Sequence, residues 1–184
     1  MKILIVTPFY PPDLEESAVY IKETARRLSK KHTVSVITYG KIPEVIPGVT
    51  ILVANKYQPF LVRLIAFTVK LLRASYTTDV IYAQNGPSTE VPVIIVSLLL
   101  RRKMIFRISD IRAHERARRH KFFHALERIV LARSRAVISD NPVRRPIISP
   151  FSSATESDWS KHEHSWQRHI KIIESALSEH RYGH

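Results

Sequence analysis

Short runs of β-branched and apolar residues alternate with longer segments of helical periodicity along most of this 184-residue chain. This alternation restricts the chain to few architectures, because strands that alternate with helices form parallel sheets with helices on their faces. The runs are uniformly apolar, which is typical of strands buried on both sides. Strands are predicted at Lys2–Thr7, Thr33–Thr38, Val49–Ala54, Asp79–Ala83, Lys103–Ile108 and Arg135–Ser139.

The segments between the strands show helical spacing of apolar residues. Helices are predicted at Glu15–Lys30, Pro59–Ser75, Ser88–Leu100 and Ile111–Arg133, with a final one from about Ser157 to His180. Because strand–helix–strand crossovers are right-handed, this order favours a doubly wound, Rossmann-like and mostly parallel sheet of about six strands. The α/β fold therefore has helices on both faces.

Prolines divide the chain after the sixth strand. Residues 1–141 are predicted to form the Rossmann-like domain, and residues 142–156, with Pro142, Pro146 and Pro150, an irregular connector. Residues 157–184 are predicted to form a C-terminal helix. The apolar residues of that helix lie close to one face, so we expect it to pack back on the domain.

The composition limits the possible functions. The formal net charge is +13, and the segment from Arg101 to Arg145 holds fourteen Lys and Arg against four acids, or 14 − 4 = +10. Such a field attracts nucleic acid, anionic lipid or phosphorylated small molecules. There is no cysteine, which excludes disulfides and thiolate sites. No apolar stretch approaches the ~20 residues of a bilayer span, so a cytoplasmic location, or a peripheral one on the membrane, is expected.

The four glycines, at positions 40, 48, 86 and 183, are too scattered for a GxGxxG, GxSxG or Walker motif. Dinucleotide binding by the usual fingerprint, serine-nucleophile chemistry and a P-loop ATPase are therefore excluded. In an open parallel sheet, ligands bind beyond the carboxyl ends of the strands. In this chain that edge is predicted to consist of Pro8–Ser17, Asn85–Thr89, Ser109–His114 and Asp140–Arg144.

Four stretches, in order along the chain, resemble family-four retaining glycosyltransferases. They are Met1–Pro12 (MKILIVTPFYPP), Ala25–Thr38 (ARRLSKKHTVSVIT), Asp79–Pro87 (DVIYAQNGP) and Ser165-Trp166 at a helix start. Members of that family have a GT-B fold with two Rossmann-like halves. The resemblance covers the N-terminal, acceptor-side half and the closing helix, whereas the half that binds the nucleotide sugar has no counterpart here.

The resemblance implies hexosyl transfer from a nucleotide sugar to a lipid-linked or saccharide acceptor. It requires no resident cofactor, and the nucleotide sugar would come through a separate donor-domain partner protein, as in the two-subunit N-acetylglucosamine transferase of N-glycan assembly. Alternatively, the chain is inactive by itself. The implied cleft residues are Asp110 as the catalytic group, Asn85, Gly86, Arg107 and Ser109 as substrate-binding groups, and Glu16 at the mouth.

Two positions depart from the family pattern. Glu15-Glu16 stand where the family has a glycine pair that lets the backbone approach the donor diphosphate, and their charges would repel it. Ser109 stands near the position of the family's catalytic-loop histidine. Asn85-Gly86, with Ser88 at a helix start, either binds a phosphate or hydroxyl group or forms an ordinary turn and N-cap.

The alternative hypothesis is a basic, non-catalytic module that binds anionic membrane or nucleic acid. Helix Pro59–Ser75, which is apolar and basic, either lies on a membrane or is a buried crossover helix. Nucleic acid is the less favoured partner, because no helix-turn-helix, RNP or zinc-finger pattern is present. No metal site is predicted: His120 and His124 lie four residues apart, and His162, His164 and His169 follow, but no HExxH pattern accompanies them.

Overall fold

The computed structural model describes residues 1–108, 121–139, 167 and 170–175. The strands are β1 (Lys2–Val6), β2 (Thr33–Gly40), β3 (Val49–Asn55), β4 (Val80–Gln84), β5 (Lys103–Ile108) and β6 (Ala136–Ser139). The helices are α1 (Glu16–Leu28), α2 (Phe60–Tyr76), α3 (Pro87–Leu100) and α4 (Lys121–Arg133). Residues 170–175 are also helical. The predicted connector at 142–156 lies outside the described residues.

The strands form one six-stranded sheet in the order β3-β2-β1-β4-β5-β6, and every neighbouring pair is parallel. This is the doubly wound Rossmann order, so the predicted fold class is confirmed. The chain winds in one direction from β1 to β3 and in the other from β4 to β6. The switch point therefore lies between β1 and β4, where Ile5 pairs with Tyr82 and Val6 with Ala83.

Alternate residues of each strand supply two separate cores. On one face Ile3 and Ile5 pack with residues of α1, including Ile21 and Leu28. On the other face Leu4 and Val6 pack with residues of α2, α3 and α4. Because both faces are covered, the central strands carry apolar residues on both sides, which explains the nearly continuous apolar runs in the sequence.

The helical residues 170–175 pack on the same face as α1. Ile173 is fully buried in the α1-side core, and Ile170 and Ile172 pack against it. The carboxylate of Glu174 lies 3.3 Å from Nζ of Lys31, in the turn that follows α1. This part of the predicted C-terminal helix thus closes the core of the sheet.

His32, in the turn between α1 and β2, makes stability depend on pH. Burial lowers the pKa of His32, and the amino group of Met1 lowers it further, whereas Glu174, 3.8 Å from Nε2, opposes both effects. A pKa lower in the folded than in the unfolded chain gives stability that is present above about pH 6.5 and is lost as the pH falls through the folded value. We expect wild type to lose more unfolding free energy than His32→Gln between about pH 8 and pH 5.5 in urea titrations. Equal losses would contradict this assignment.

Candidate functional site

The carboxyl ends of β1, β4 and β5 bring three of the predicted site residues together. Asn85 and Gly86 follow β4, Arg107 lies near the end of β5, and the backbone N–H of Asn85 donates to the carbonyl of Arg107 at 2.9 Å. Glu16 is the first residue of α1. The predicted catalytic residue Asp110 and its neighbour Ser109 lie outside the described residues.

A buried polar contact fills the switch point itself. The hydroxyl of Thr7 donates to Oε1 of Gln84 at 2.7 Å and accepts the backbone N–H of Phe9 at 3.3 Å. Thr7 and Gln84 have almost no exposed surface. The crevice between β1 and β4, where such folds usually hold a ligand, is therefore occupied at its base by side chains of the protein.

Arg107 and Asn85 are buried, with 4% of each residue exposed. The guanidinium of Arg107 stacks on the ring of Tyr20, which belongs to α1, with Cζ 3.4 Å from the ring centroid. This cation–π contact directs the positive charge toward α1, beneath the edge of the sheet.

Gly86 is held by both neighbouring segments. A Cβ at this position would lie 3.2 Å from Cγ of Pro8, so the loops after β1 and β4 touch here. The backbone N–H of Gly86 donates to Oε1 of Glu90, in the first turn of α3, at 3.1 Å. The backbone N–H of Gly86, the group predicted to bind a phosphate, is thus already bonded. A phosphate would have to displace the carboxylate of Glu90.

Acidic residues stand at both helix N-termini beside the switch point. Glu15 directly precedes α1, without a capping hydrogen bond from its side chain, and Glu16 begins the helix, while Glu90 lies in the first turn of α3. Carboxylates stabilise these helix ends through the helix dipole, but they repel a second anion at the same place. The N-terminus of α2 differs, because no acidic residue lies in its first turn.

A cavity of about 180 Å³ lies beside that third helix end, over the carboxyl ends of β2 and β3. Its walls come from three segments that are distant in sequence: the loop after β1, the end of β2 with the residues that follow, and the residues after β3. They include Tyr10, Asp13, Tyr39, Lys41, Lys56 and Tyr57. The volume is below the ~300 Å³ typical of pockets for drug-sized ligands, so the cavity suits only a small ligand.

Charged and phenolic groups line this cavity. Nζ of Lys56 lies 3.0 Å from Oδ1 of Asp13, and this hydrogen bond raises the pKa of Lys56 above its ordinary value. Burial, reinforced by the charge of Glu44, raises the pKa of Tyr10, so its phenol stays protonated. Within the part of the chain that the structure describes, the Tyr10 hydroxyl has no hydrogen-bond partner. A lysine–aspartate pair and aromatic surface thus meet in one small space.

Tyr39 forms a rigid wall of the cavity. Its ring stacks on Phe67 of α2 with centroids 4.3 Å apart, and its hydroxyl donates to the carbonyl of Ser88 at 2.8 Å. The guanidinium of Arg63, a residue of α2, lies 5.4 Å from the centroid of the Tyr39 ring. Burial raises the pKa of Tyr39 to about 12, although Arg63 and the bond to Ser88 act in the opposite direction. Tyr39 therefore remains a neutral, fixed surface.

No sequence motif pointed to this cavity. Its signals are Gly40-Lys41 directly after β2 and Lys56-Tyr57 directly after β3, both at the edge where ligands bind. Neither pair of residues forms a recognisable motif by itself, and Asp13 comes close to them only in the folded chain. Of the histidines considered as metal ligands, His124 lies on α4 and the others fall outside the described residues. Within the described ranges, no three His, Asp or Glu side chains are grouped as a metal site requires.

The fold is shared with two solved structures. One is Anabaena Alr3699/HepE in complex with UDP and glucose, with 20% identity and a TM-score of 0.52, matched over 74% of this chain and 37% of that chain. The other is a Listeria monocytogenes protein assigned as a UDP-N-acetylglucosamine 2-epimerase, with 10% identity and a TM-score of 0.54, matched over 75% of this chain and 39% of that chain.

The likeness is one of fold. This chain spans about two fifths of the length of either structure, as one Rossmann-like half of a two-domain GT-B enzyme would. No protein-family model matches the sequence, and no curated protein matches it significantly. The predicted membership of the family-four glycosyltransferases therefore stays a prediction.

Proposed function

We propose that this chain is the acceptor-side domain of a glycosyltransferase and that a separate partner supplies the nucleotide-sugar site. The observation that carries the proposal is the cavity over β2 and β3, which has the size of one sugar ring and the side chains to hold it. It opens at the carboxyl edge of a sheet that resembles part of a protein solved with UDP and glucose.

The same geometry argues against donor binding by the described residues. Acidic residues stand at the N-termini of α1 and α3, and Thr7 and Gln84 fill the switch point between them. A diphosphate carries at least two negative charges and would be repelled at both helix ends. The donor site therefore belongs to another polypeptide segment, which faces this edge of the sheet.

In the proposed reaction, the bond between the anomeric carbon of the donor and its diphosphate oxygen breaks. The oxygen of an acceptor hydroxyl forms the new glycosidic bond, the proton of that hydroxyl passes to the departing diphosphate oxygen, and a nucleoside diphosphate leaves. The role of this chain is to hold the acceptor ring still, through Lys56, Asp13 and the tyrosine walls, so that its hydroxyl faces the partner's donor. Asp110, the catalytic group that the family resemblance implies, follows β5 in the chain, and its role stays a prediction.

Two measurements on the purified chain test the proposal. Incubation with labelled nucleotide sugars and saccharide acceptors is expected to give no turnover, because the donor wall is missing. Saturation-transfer NMR with methyl glycosides of common hexoses and of N-acetylglucosamine is expected to show binding. Lys56→Ala should weaken it roughly tenfold, the usual effect of losing one hydrogen bond to a charged group.

Lys22→Ala is the matched control. The Lys22–Glu44 pair has the same 3.0 Å separation, and the two lysines are similarly exposed (31% and 39%), but Lys22 does not line the cavity. This variant should bind glycosides like wild type. Robust turnover by the isolated chain would refute the need for a partner. Absence of glycoside binding, or equal weakening in the two variants, would refute the acceptor site.

A further inference from the structure

The outer face of α2 has the reverse of the usual polarity. A surface helix normally turns polar side chains to solvent. On α2 the exposed side chains are mostly apolar and recur every three to four residues along one stripe. They are Leu61 (68% exposed), Val62 (49%), Ile65 (64%), Val69 (41%) and Tyr76 (60%).

The inner face of α2 is apolar too. Phe67 and Leu71 are fully buried against the sheet. The helix is therefore apolar on both sides, with Lys70 and Arg73 at the margin of the exposed stripe. A helix that is apolar all round is normally covered on all sides, so the outer stripe is suited to a further apolar surface.

Helix α3 continues this surface. It packs beside α2, and its exposed residues Ile95, Leu98 and Leu99 are apolar as well. Nη2 of Arg102, just beyond α3, donates to the carbonyl of Tyr76 at 2.8 Å and ties the two helix ends together. We call the exposed apolar residues of both helices (Leu61, Val62, Ile65, Val69, Tyr76, Ile95, Leu98 and Leu99) the outer α2–α3 face.

The charges on the segments that carry this face have one sign. Residues 45–78 and 91–103 contain no Asp or Glu, whereas Lys70, Arg73, Arg101, Arg102 and Lys103 lie in those segments. A second copy of the chain would bring like charges together, which disfavours self-association through this face. The partner that complements this face is an apolar surface with negative charge at its boundary. An anionic bilayer has that structure.

We propose that the outer α2–α3 face lies on the surface of an anionic phospholipid bilayer. The apolar side chains enter the boundary between headgroups and acyl chains, and the lysines and arginines remain at the phosphates. No helix in the described parts of the chain is long and apolar enough to cross a bilayer, so the contact is an in-plane one.

This contact would set the position of the cavity. Tyr57, which lines the cavity, precedes the first residue of α2, Phe60, by three positions, and Phe60 is itself 58% exposed. A protein lying on α2 would hold the cavity mouth close to the headgroups. The docking surface stands on exposure and charge alone, so it does not depend on the glycosyltransferase proposal.

Vesicle co-sedimentation of the full chain tests the docking. Wild type is expected to bind vesicles of phosphatidylcholine with about one third phosphatidylglycerol, and to bind pure phosphatidylcholine much more weakly. Leu61→Ser with Ile65→Ser should reduce partitioning roughly tenfold, because interfacial binding scales with buried apolar area. Val19→Ser with Val45→Ser, which changes exposed valines outside the outer α2–α3 face, should have little effect.

Charge variants test whether Lys70 and Arg73 contribute to vesicle binding. Lys70→Glu with Arg73→Glu should also lower partitioning roughly tenfold, whereas Lys30→Glu with Lys171→Glu, beside α1 and on the helical segment 170–175, should lower it much less. The two pairs change the net charge equally, so a non-specific effect of net charge would affect both alike.

The absence of cysteine allows a direct readout of contact. Ile65→Cys and Val19→Cys can each carry one environment-sensitive fluorophore. Anionic vesicles should shift the emission to the blue at position 65 and not at position 19. Failure to bind vesicles, equal shifts at both positions, or equal losses in test and control variants would overturn the proposal. A dimer in light scattering that Leu61→Ser with Ile65→Ser dissociates would also overturn it, because a second copy then covers this face.

Discussion

Ile173→Ala is expected to lower the free energy of unfolding by about 3 kcal/mol, within the 2–5 kcal/mol range of buried aliphatic truncations. Ile173 is fully buried in the core that covers the α1 face of the sheet. The truncation removes apolar contacts and leaves a cavity that rigid strands cannot fill. For a chain of this size the loss corresponds to a fall in Tm of roughly 6–12 °C, measurable by circular dichroism or calorimetry.

Lys171→Ala is the control within the same helical segment. Lys171 is exposed, so its truncation should change stability by no more than about 0.5 kcal/mol. If Ile173→Ala were equally harmless, residues 170–175 would not belong to the folding unit of the sheet. A large effect for both variants would indicate loss of the helix itself rather than loss of core packing.

The outcome for Ile173 bears on whether this domain can fold without a second one. The described C-terminal helical residues fill the α1-side core, and Glu174 contacts the turn after α1 through Lys31. These residues cover apolar surface of the sheet that a neighbouring domain would otherwise have to cover. A strong effect of Ile173→Ala would therefore support a self-sufficient half, as the proposed function requires.

The sheet was predictable because its strands are buried on both faces. Ile3-Leu4-Ile5-Val6 has no polar position, and its neighbours in the sheet, β2 and β4, are almost as apolar. Such runs, separated by helix-length segments, leave few topologies, and the right-handed crossover rule selects the Rossmann order. The predicted and observed strand boundaries agree to within one or two residues, since turn-forming residues such as Pro8 stop the elements sharply.

The site was less predictable, because its contacts depend on side-chain direction and on partners far apart in sequence. Arg107 lies at the expected edge, but the alternation of β5 turns it toward Tyr20. Gly86 follows β4 as expected, but its backbone N–H donates to the carboxylate of Glu90. The cavity joins Asp13 and Lys56, 43 positions apart, through the parallel pairing of β1, β2 and β3. No local pattern contains that information.

The polarity of α2 illustrates a different limit of the sequence. A helix that is apolar and basic suits either a buried crossover or a membrane surface, and periodicity alone does not separate the two. The structure shows that one side, with Phe67 and Leu71, is buried while Leu61 and Ile65 are exposed. Only the position of the sheet, a tertiary property, determines which residues remain at the surface.

Phe67→Ala is expected to lower the free energy of unfolding by about 3–5 kcal/mol and to disturb the cavity as well. Phe67 is fully buried in the second core, and its ring stacks on Tyr39, a wall of the cavity. The stack adds about 0.5–1.5 kcal/mol to the loss of buried area. Against a total stability of about 5–15 kcal/mol, this loss is a large share, so the Tm is expected to fall markedly.

Phe67→Leu separates the two effects. Leucine fills most of the volume, so this variant should lose only about 1–2 kcal/mol and stay folded, but it cannot stack on Tyr39. With the wall no longer held, methyl glycosides should bind several-fold more weakly in saturation-transfer NMR while the sheet remains intact by circular dichroism. Unchanged glycoside binding in Phe67→Leu would show that Tyr39 does not need its partner to shape the cavity. Unchanged stability in Phe67→Ala would contradict the packing of α2 on the sheet, on which both the cavity wall and the outer α2–α3 face depend.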